Sequence, residues 1–157
     1  MEKQNGRRTQ DVERLSIFEL SGKLFGINIL TSREVIPLPR FTPVPNSDDI
    51  YYGVFNLRGE IFPLVDISSI LGLPPKQIQS DDMVILVDNT HDIIMGVLVD
   101  KIYNILFYSS GDLKLAKGLV SRSLEIHLRG VVYHKRNMIH ILDLESLFRT
   151  KQILAHY

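Results

Sequence analysis

The chain has no cysteine. That excludes a disulfide framework, a thiol nucleophile, an iron–sulfur cluster and a thiolate zinc site, and it suits a reducing, cytoplasmic setting. Tryptophan is missing too, and neither charge dominates, since 18 basic residues face 18 acidic ones. With no basic surplus to neutralise phosphates, nucleic acid is a poor partner. Long apolar runs are also lacking. The longest, 93–99, is far short of the roughly 20 residues a membrane helix needs, so no direct membrane insertion is expected. Residues 1–14 scatter Arg7, Arg8 and Arg14 among Glu2, Asp11 and Glu13 without an apolar segment. They read as a disordered tail rather than a targeting signal, and 149–157 reads as a second tail.

What is present is a globular composition: 157 residues, 45% hydrophobic and 23% charged. This is enough for one domain, or for two small lobes sharing a core. From Leu15 onward, short runs of Ile, Val, Leu, Phe and Tyr alternate with Gly, Asn, Asp and Pro at hairpin distances, which predicts a mainly β fold. Four hairpins follow, with strands at 16–20 and 24–29, 53–57 and 60–65, 83–88 and 93–99, and 128–133 and 138–142. The hydroxyl residues at 31–36 predict a single helical turn closed by Pro37 and Pro39, and an extended connector runs on to Asn46. Asp66 and Asp143 predict N-caps of short helices over 66–72 and 143–148. Residues 73–82, with Pro74 and Pro75, read as the boundary between lobes, and 109–123 as a long loop.

A gap-free internal alignment sets 53–71 against 130–148. Gly53, Val54, Asp66 and Ser69 meet Gly130, Val131, Asp143 and Ser146, and other positions trade one apolar residue for another. Upstream, Phe25-Gly26-Ile27 parallels Met95-Gly96-Val97, and Val35-Ile36 falls opposite Ile105-Leu106. The chain is thus read as a duplication, each half too small to bury much alone. Lobe one is expected over 15–72 with the helix 143–148, and lobe two over 83–142.

Chemistry-bearing residues form no catalytic pattern. Asp66, Asp100 and Asp143 each follow an apolar run, but an aspartate between a strand and a helix is better explained as a cap than as a general acid. The five histidines have no metal-ligand spacing, and P-loop, dinucleotide and nucleophile-elbow motifs are missing. No enzyme activity, cofactor or metal is therefore expected. Arg58, at a hairpin tip, is different in kind because its guanidinium presents five fixed donors.

The string Tyr52-Gly53-Val54-Phe55-Asn56-Leu57-Arg58-Gly59-Glu60-Ile61-Phe62-Pro63-Leu64-Val65-Asp66 resembles the signature of the CheW family of chemotaxis coupling proteins. Phe25-Gly26-Ile27-Asn28-Ile29-Leu30 with Glu34-Val35-Ile36, then Gly96-Val97-Leu98-Val99-Asp100, and Gly130-Val131 through Ile141-Leu142-Asp143 follow in family order, so the likeness spans about 15–148. It implies two SH3-like five-stranded β-barrels packed together, with short helices after strands and near the C-terminus. It also implies a non-catalytic adaptor joining chemoreceptor cytoplasmic tips to the regulatory domain of a CheA-like histidine kinase at the membrane-associated array. An adaptor of a twitching or gliding pathway is the alternative. By resemblance, receptor-binding positions fall on Glu34, Val35, Gly53, Arg58, Val84 and Ile105, and kinase-binding positions on Tyr52 and Ile61. Ser32 departs from the valine common in the family, and Leu38-Pro39-Arg40 makes a stiff connector. Leu128-Arg129-Gly130 is a decoy for the first Leu-Arg-Gly string, because it precedes a strand.

Overall fold

Two-residue turns fix the register of three hairpins in the computed structural model, which describes residues 12–45, 49–88, 93–150 and 153. Strand β1 (Val12–Leu20) turns through Ser21 and Gly22 into β2 (Lys23–Asn28). Strand β4 (Tyr51–Leu57) turns through Arg58 and Gly59 into β5 (Glu60–Val65), and β10 (Leu128–His134) turns through Lys135 and Arg136 into β11 (Asn137–Leu142). All six turn residues have positive φ, the geometry whose twist matches that of the flanking strands. A third hairpin in chain order joins β6 (Met83–Asp88) to β7 (Ile94–Val99); its expected turn residues lie outside the described ones. The remaining strands are β3 (Ser32–Pro37), β8 (Lys101–Ile102) and β9 (Leu106–Ser109). Two short helices whose ends lie among the described residues are α1 (Arg122–Glu125) and α2 (Leu144–Phe148).

The strands form a five-stranded sheet in the order β3-β6-β7-β5-β4 and a six-stranded one in the order β10-β11-β2-β1-β8, where β9 also pairs with β1. Connectivity is the same in both. Each has an antiparallel hairpin (β6–β7 or β1–β2) joined in parallel to a second hairpin (β4–β5 or β10–β11). The parallel joints correspond residue by residue: Leu64 pairs with Gly96, and Ile141 with Gly26. Neither ladder closes fully, but a single bridge completes each ring, Thr42 with Val54 in one and Lys114 with Val131 in the other. The result is two SH3-like, partly open barrels.

The duplication is therefore real in three dimensions, but its halves do not each build a barrel. The expected division into lobes at 15–72 and 83–142 is corrected by the pairing: β1 and β2 join the strands of the second half, and β6 and β7 join those of the first. Burial explains this exchange. Both faces of the exchanged hairpins are covered, with Leu15 and Ile17 or Val84, Leu86 and Leu98 filling the barrels. Their other faces, including Phe18, Phe25, Ile85, Val97 and Val99, make the large core shared between the barrels. Strands buried on two sides read as continuous apolar runs, as 83–87 and 94–99 do.

Several local expectations are corrected. Residues 32–37 are strand β3, preceded by a 3-10 turn at Ile29–Thr31. Pairing with β6 overrides the hydroxyl-rich start that had indicated a helical turn. Residues 68–72 form turns and no helix is built over 66–72, although the Asp66 carboxylate still accepts the Ser68 N–H at 2.9 Å. Asp143 does cap α2, through the Ser146 N–H. The segment 73–82 links strands of one sheet rather than separating lobes, and 109–123 contains a 3-10 turn at Ser110–Asp112, the Lys114 bridge and the start of α1. Of the expected tails, Val12, Glu13 and Arg14 belong to β1, and Ile153 is fully buried in the shared core.

Candidate functional site

The two barrels present their hairpin tips differently, and the candidate residues sort accordingly. Arg58 stands at the β4–β5 tip with φ 50°, and Gly59 beside it with φ 89°. The Asn56 side chain accepts the Gly59 N–H at 3.1 Å and braces the turn. From there the Arg58 guanidinium forms an ion pair with Glu34 of β3, a strand 24 residues away in sequence. Both ends are partly open to solvent, at 69% and 32% side-chain exposure, so the pair adds little to folding. The Glu34 hydrogen bond and charge orient the guanidinium and push its pKa further up. Val35, one residue on, is exposed.

Other candidates are placed less accessibly. Val84 is completely buried in the first barrel with Phe55, Phe62 and Leu64. Gly53 is buried as well. A Cβ there would lie 2.1 Å from the Thr42 carbonyl oxygen, so glycine is what lets the ring-closing bridge form. Gly130, its counterpart, would place a Cβ 2.5 Å from the Lys114 carbonyl oxygen. Ile105 is exposed, but it borders a cleft of the second barrel together with Leu24 and Ile139.

For the kinase set, Ile61 is 61% exposed, because the strand alternation turns Phe62 and Leu64 inward and Ile61 outward. It shares its hairpin with Arg58, and its cross-strand partner is Asn56. Tyr52 is half-buried, stacks obliquely on Phe41, and donates its hydroxyl to the Lys76 carbonyl at 2.7 Å. Burial is the main reason its hydroxyl is held well above the usual tyrosine range, with Asp66 adding to the effect.

Sequence reasoning missed the polar cluster at the base of this region. Lys76 Nζ, 5% exposed, reaches the carboxylates of Asp82 at 2.9 Å and Asp100 at 2.6 Å. Asp100 also accepts the Ser21 N–H at 3.0 Å, so one ammonium ties the β1–β2 turn to the connector before β6. Burial opposes the charge on Lys76, but the two carboxylates outweigh it and raise its pKa. The Pro74-Pro75 stretch had hidden this lysine in an expected linker. In the second barrel Arg129 makes two hydrogen bonds to Glu13, at 3.2 and 3.3 Å. This occupies Arg129 inside its own barrel, unlike Arg58. Among the described residues there is no cluster of His, Asp and Glu able to hold a metal, and no helix is long and apolar enough to cross a membrane.

Two interleaved SH3-like barrels, with an arginine paired to β3 and an exposed isoleucine on one hairpin, define a mainly β, double-barrel protein. The CheW-like domain family matches residues 14–152, and the chain belongs to that family. It is 30% identical over 144 residues to the chemotaxis protein CheW of Rhizobium meliloti (strain 1021), covering 92% of each chain. It is 25% identical over 143 residues to that of Treponema pallidum (strain Nichols), covering 89% of this chain and 84% of the other. The crystal structure of the scaffolding protein TtCheW from Thermoanaerobacter tengcongensis superposes with a TM-score of 0.77 at 23% identity, over 89% of this chain and 90% of that one.

Proposed function

We propose that this protein is a non-catalytic chemotaxis scaffold that couples the cytoplasmic tips of chemoreceptors to a CheA-type histidine kinase, working in the cytoplasm at the receptor array. The observation that carries the reading is the exposed Arg58–Glu34 pair, set within the signature string of a CheW-like domain. A guanidinium fixed by a carboxylate has donors left over for a partner. Glu34, Val35, Arg58 and Ile105 form the receptor surface, while Gly53 and Val84, buried beneath it, shape it without touching the receptor. Ile61 and the exposed part of Tyr52 serve the kinase through a barrel-to-barrel contact.

Capture of a purified receptor tip and of the kinase regulatory domain on immobilised protein tests this. Arg58→Ala should keep the fold and lose receptor capture, and Arg58→Lys should rescue it poorly, since lysine keeps the charge but loses the planar fork. Equal capture by Arg58→Lys and the parent would show that fork geometry is irrelevant.

A further inference from the structure

The β10–β11 turn has unusual chemistry for its geometry. Its central residues, Lys135 at φ 50° and Arg136 at φ 70°, both hold left-handed backbone without a glycine, whereas the β1–β2 and β4–β5 turns place Gly22 and Gly59 in the second position. A non-glycine residue in this region costs about 1 kcal/mol, and Asn-Gly is the favoured pair for such a turn. Neither side chain, nor that of His134, forms a hydrogen bond or ion pair with a described residue, and all three are exposed. The parallel pairing of Ile139 with Leu24 sets this tip beside the β1–β2 tip, adding Lys23. A chain with no net charge thus carries an unpaired cationic ridge at one corner.

Beside the ridge lies a cleft of about 500 Å³ with a mixed lining, the Asn104 and Asn137 amides beside the part-buried Leu24 and Leu106, with Lys135 and His134 at its edge. Tyr103 and Ile105 expose apolar surface at its rim. Glu19 is the one acidic residue lining it among the described residues, and its carboxylate already accepts the Tyr103 hydroxyl at 2.6 Å. The equivalent corner of the first barrel is different, because there Glu34 neutralises Arg58.

We propose that the β10–β11 turn and this cleft form a docking site for an acidic segment of a protein partner, with carboxylates on Lys135 and Arg136 and an adjoining apolar side chain in the cleft. Complementary charge would steer the segment in, and contacts with Leu24, Leu106 and Ile105 beside the Asn104 and Asn137 amides would hold it. A bilayer surface could meet the ridge but could not fill the cleft, so a protein segment is the occupant favoured. The site goes beyond the receptor and kinase surfaces proposed above and shares only Ile105 with them.

Fluorescence anisotropy with a labelled Glu-Glu-Leu-Leu repeat peptide tests this on the full chain. Lys135→Asn/Arg136→Gly removes both charges and installs the favoured turn pair, so it should raise the melting temperature while weakening peptide binding by about tenfold or more. Arg33→Gln/Lys117→Gln removes the same charge from other exposed positions and should bind as the parent does. A Lys-Lys-Leu-Leu peptide should not bind. Equal peptide binding by the turn variant and the parent would overturn the proposal, as would equal weakening by the control variant. Binding to phosphatidylcholine–phosphatidylserine vesicles in place of the peptide would assign the ridge to membrane and overturn it as well. Capture of receptor tip and kinase by the turn variant should be unchanged. Loss of either, with the fold intact, would return this corner to the proposed coupling surfaces and overturn a separate partner.

Discussion

A methyl group at Gly53 would meet the Thr42 carbonyl oxygen at 2.1 Å, and backbone cannot yield as a side-chain tip does. Gly53→Ala should therefore cost roughly 2–4 kcal/mol by breaking the bridge that closes the first barrel. Gly59→Ala, where nothing lies within 4 Å, should cost only the turn strain of about 1 kcal/mol. Urea unfolding compares the two, and equal small losses would mean that the bridge is dispensable. His140 gives a second residue-level expectation. Its Nδ1 lies 2.7 Å from the Leu24 carbonyl, so that nitrogen carries the proton and donates. Burial is the chief cause holding its pKa below the ordinary 6.5. The unfolded chain then takes up the proton first, so stability is full above that value and falls as pH drops through the lower folded-state pKa. His127, also lowered mainly by burial, acts in the same direction. The melting temperature should fall on going from about pH 7.5 to about pH 5.5, and less steeply in His140→Gln. An unchanged slope in that variant would remove His140 from the account.

At the scale of an element, the β4–β5 hairpin carries opposite requirements on its two faces. Phe55 and Phe62 face each other inward with ring centroids 5.9 Å apart, while Ile61 next to them is 61% exposed. Ile61→Asp should accordingly leave the circular dichroism spectrum and melting temperature nearly unchanged but abolish kinase capture, with receptor capture retained. Phe62→Asp buries an unpaired carboxylate and should unfold the barrel, at a cost of several kcal/mol. Loss of both partners from a folded Ile61→Asp protein would mean that the two surfaces are not separable. That outcome is a sharp test because Arg58 lies on the same hairpin.

At the scale of the molecule, the exchange of hairpins makes the halves mutually dependent. A fragment of residues 1–76 lacks β6 and β7, leaving β5 without its parallel neighbour and Phe18 and Phe25 without the facing half of the shared core. It should be unfolded alone and should regain β structure when mixed with residues 77–157, which circular dichroism of the separate and combined fragments would read. A cooperatively folded first fragment would contradict the exchange.

Much of this was legible in one dimension. The turn residues and the alternation around them determined the hairpins and their register, because those depend on contacts between near neighbours. The matched glycines, Gly26 with Gly96 and Gly53 with Gly130, revealed the duplication, and the string around Arg58 pointed to the family. What the sequence could not determine was which hairpin of one half joins which strands of the other, since an apolar run buried on both faces looks the same in either arrangement. Tertiary structure alone decided that exchange, buried Val84 and Gly53, paired Arg58 with Glu34, and drew Lys76 out of a proline-rich connector onto Asp82 and Asp100. Each depends on long-range packing that brings together residues far apart in the chain, and burial and charge pairing follow from that packing rather than from local pattern.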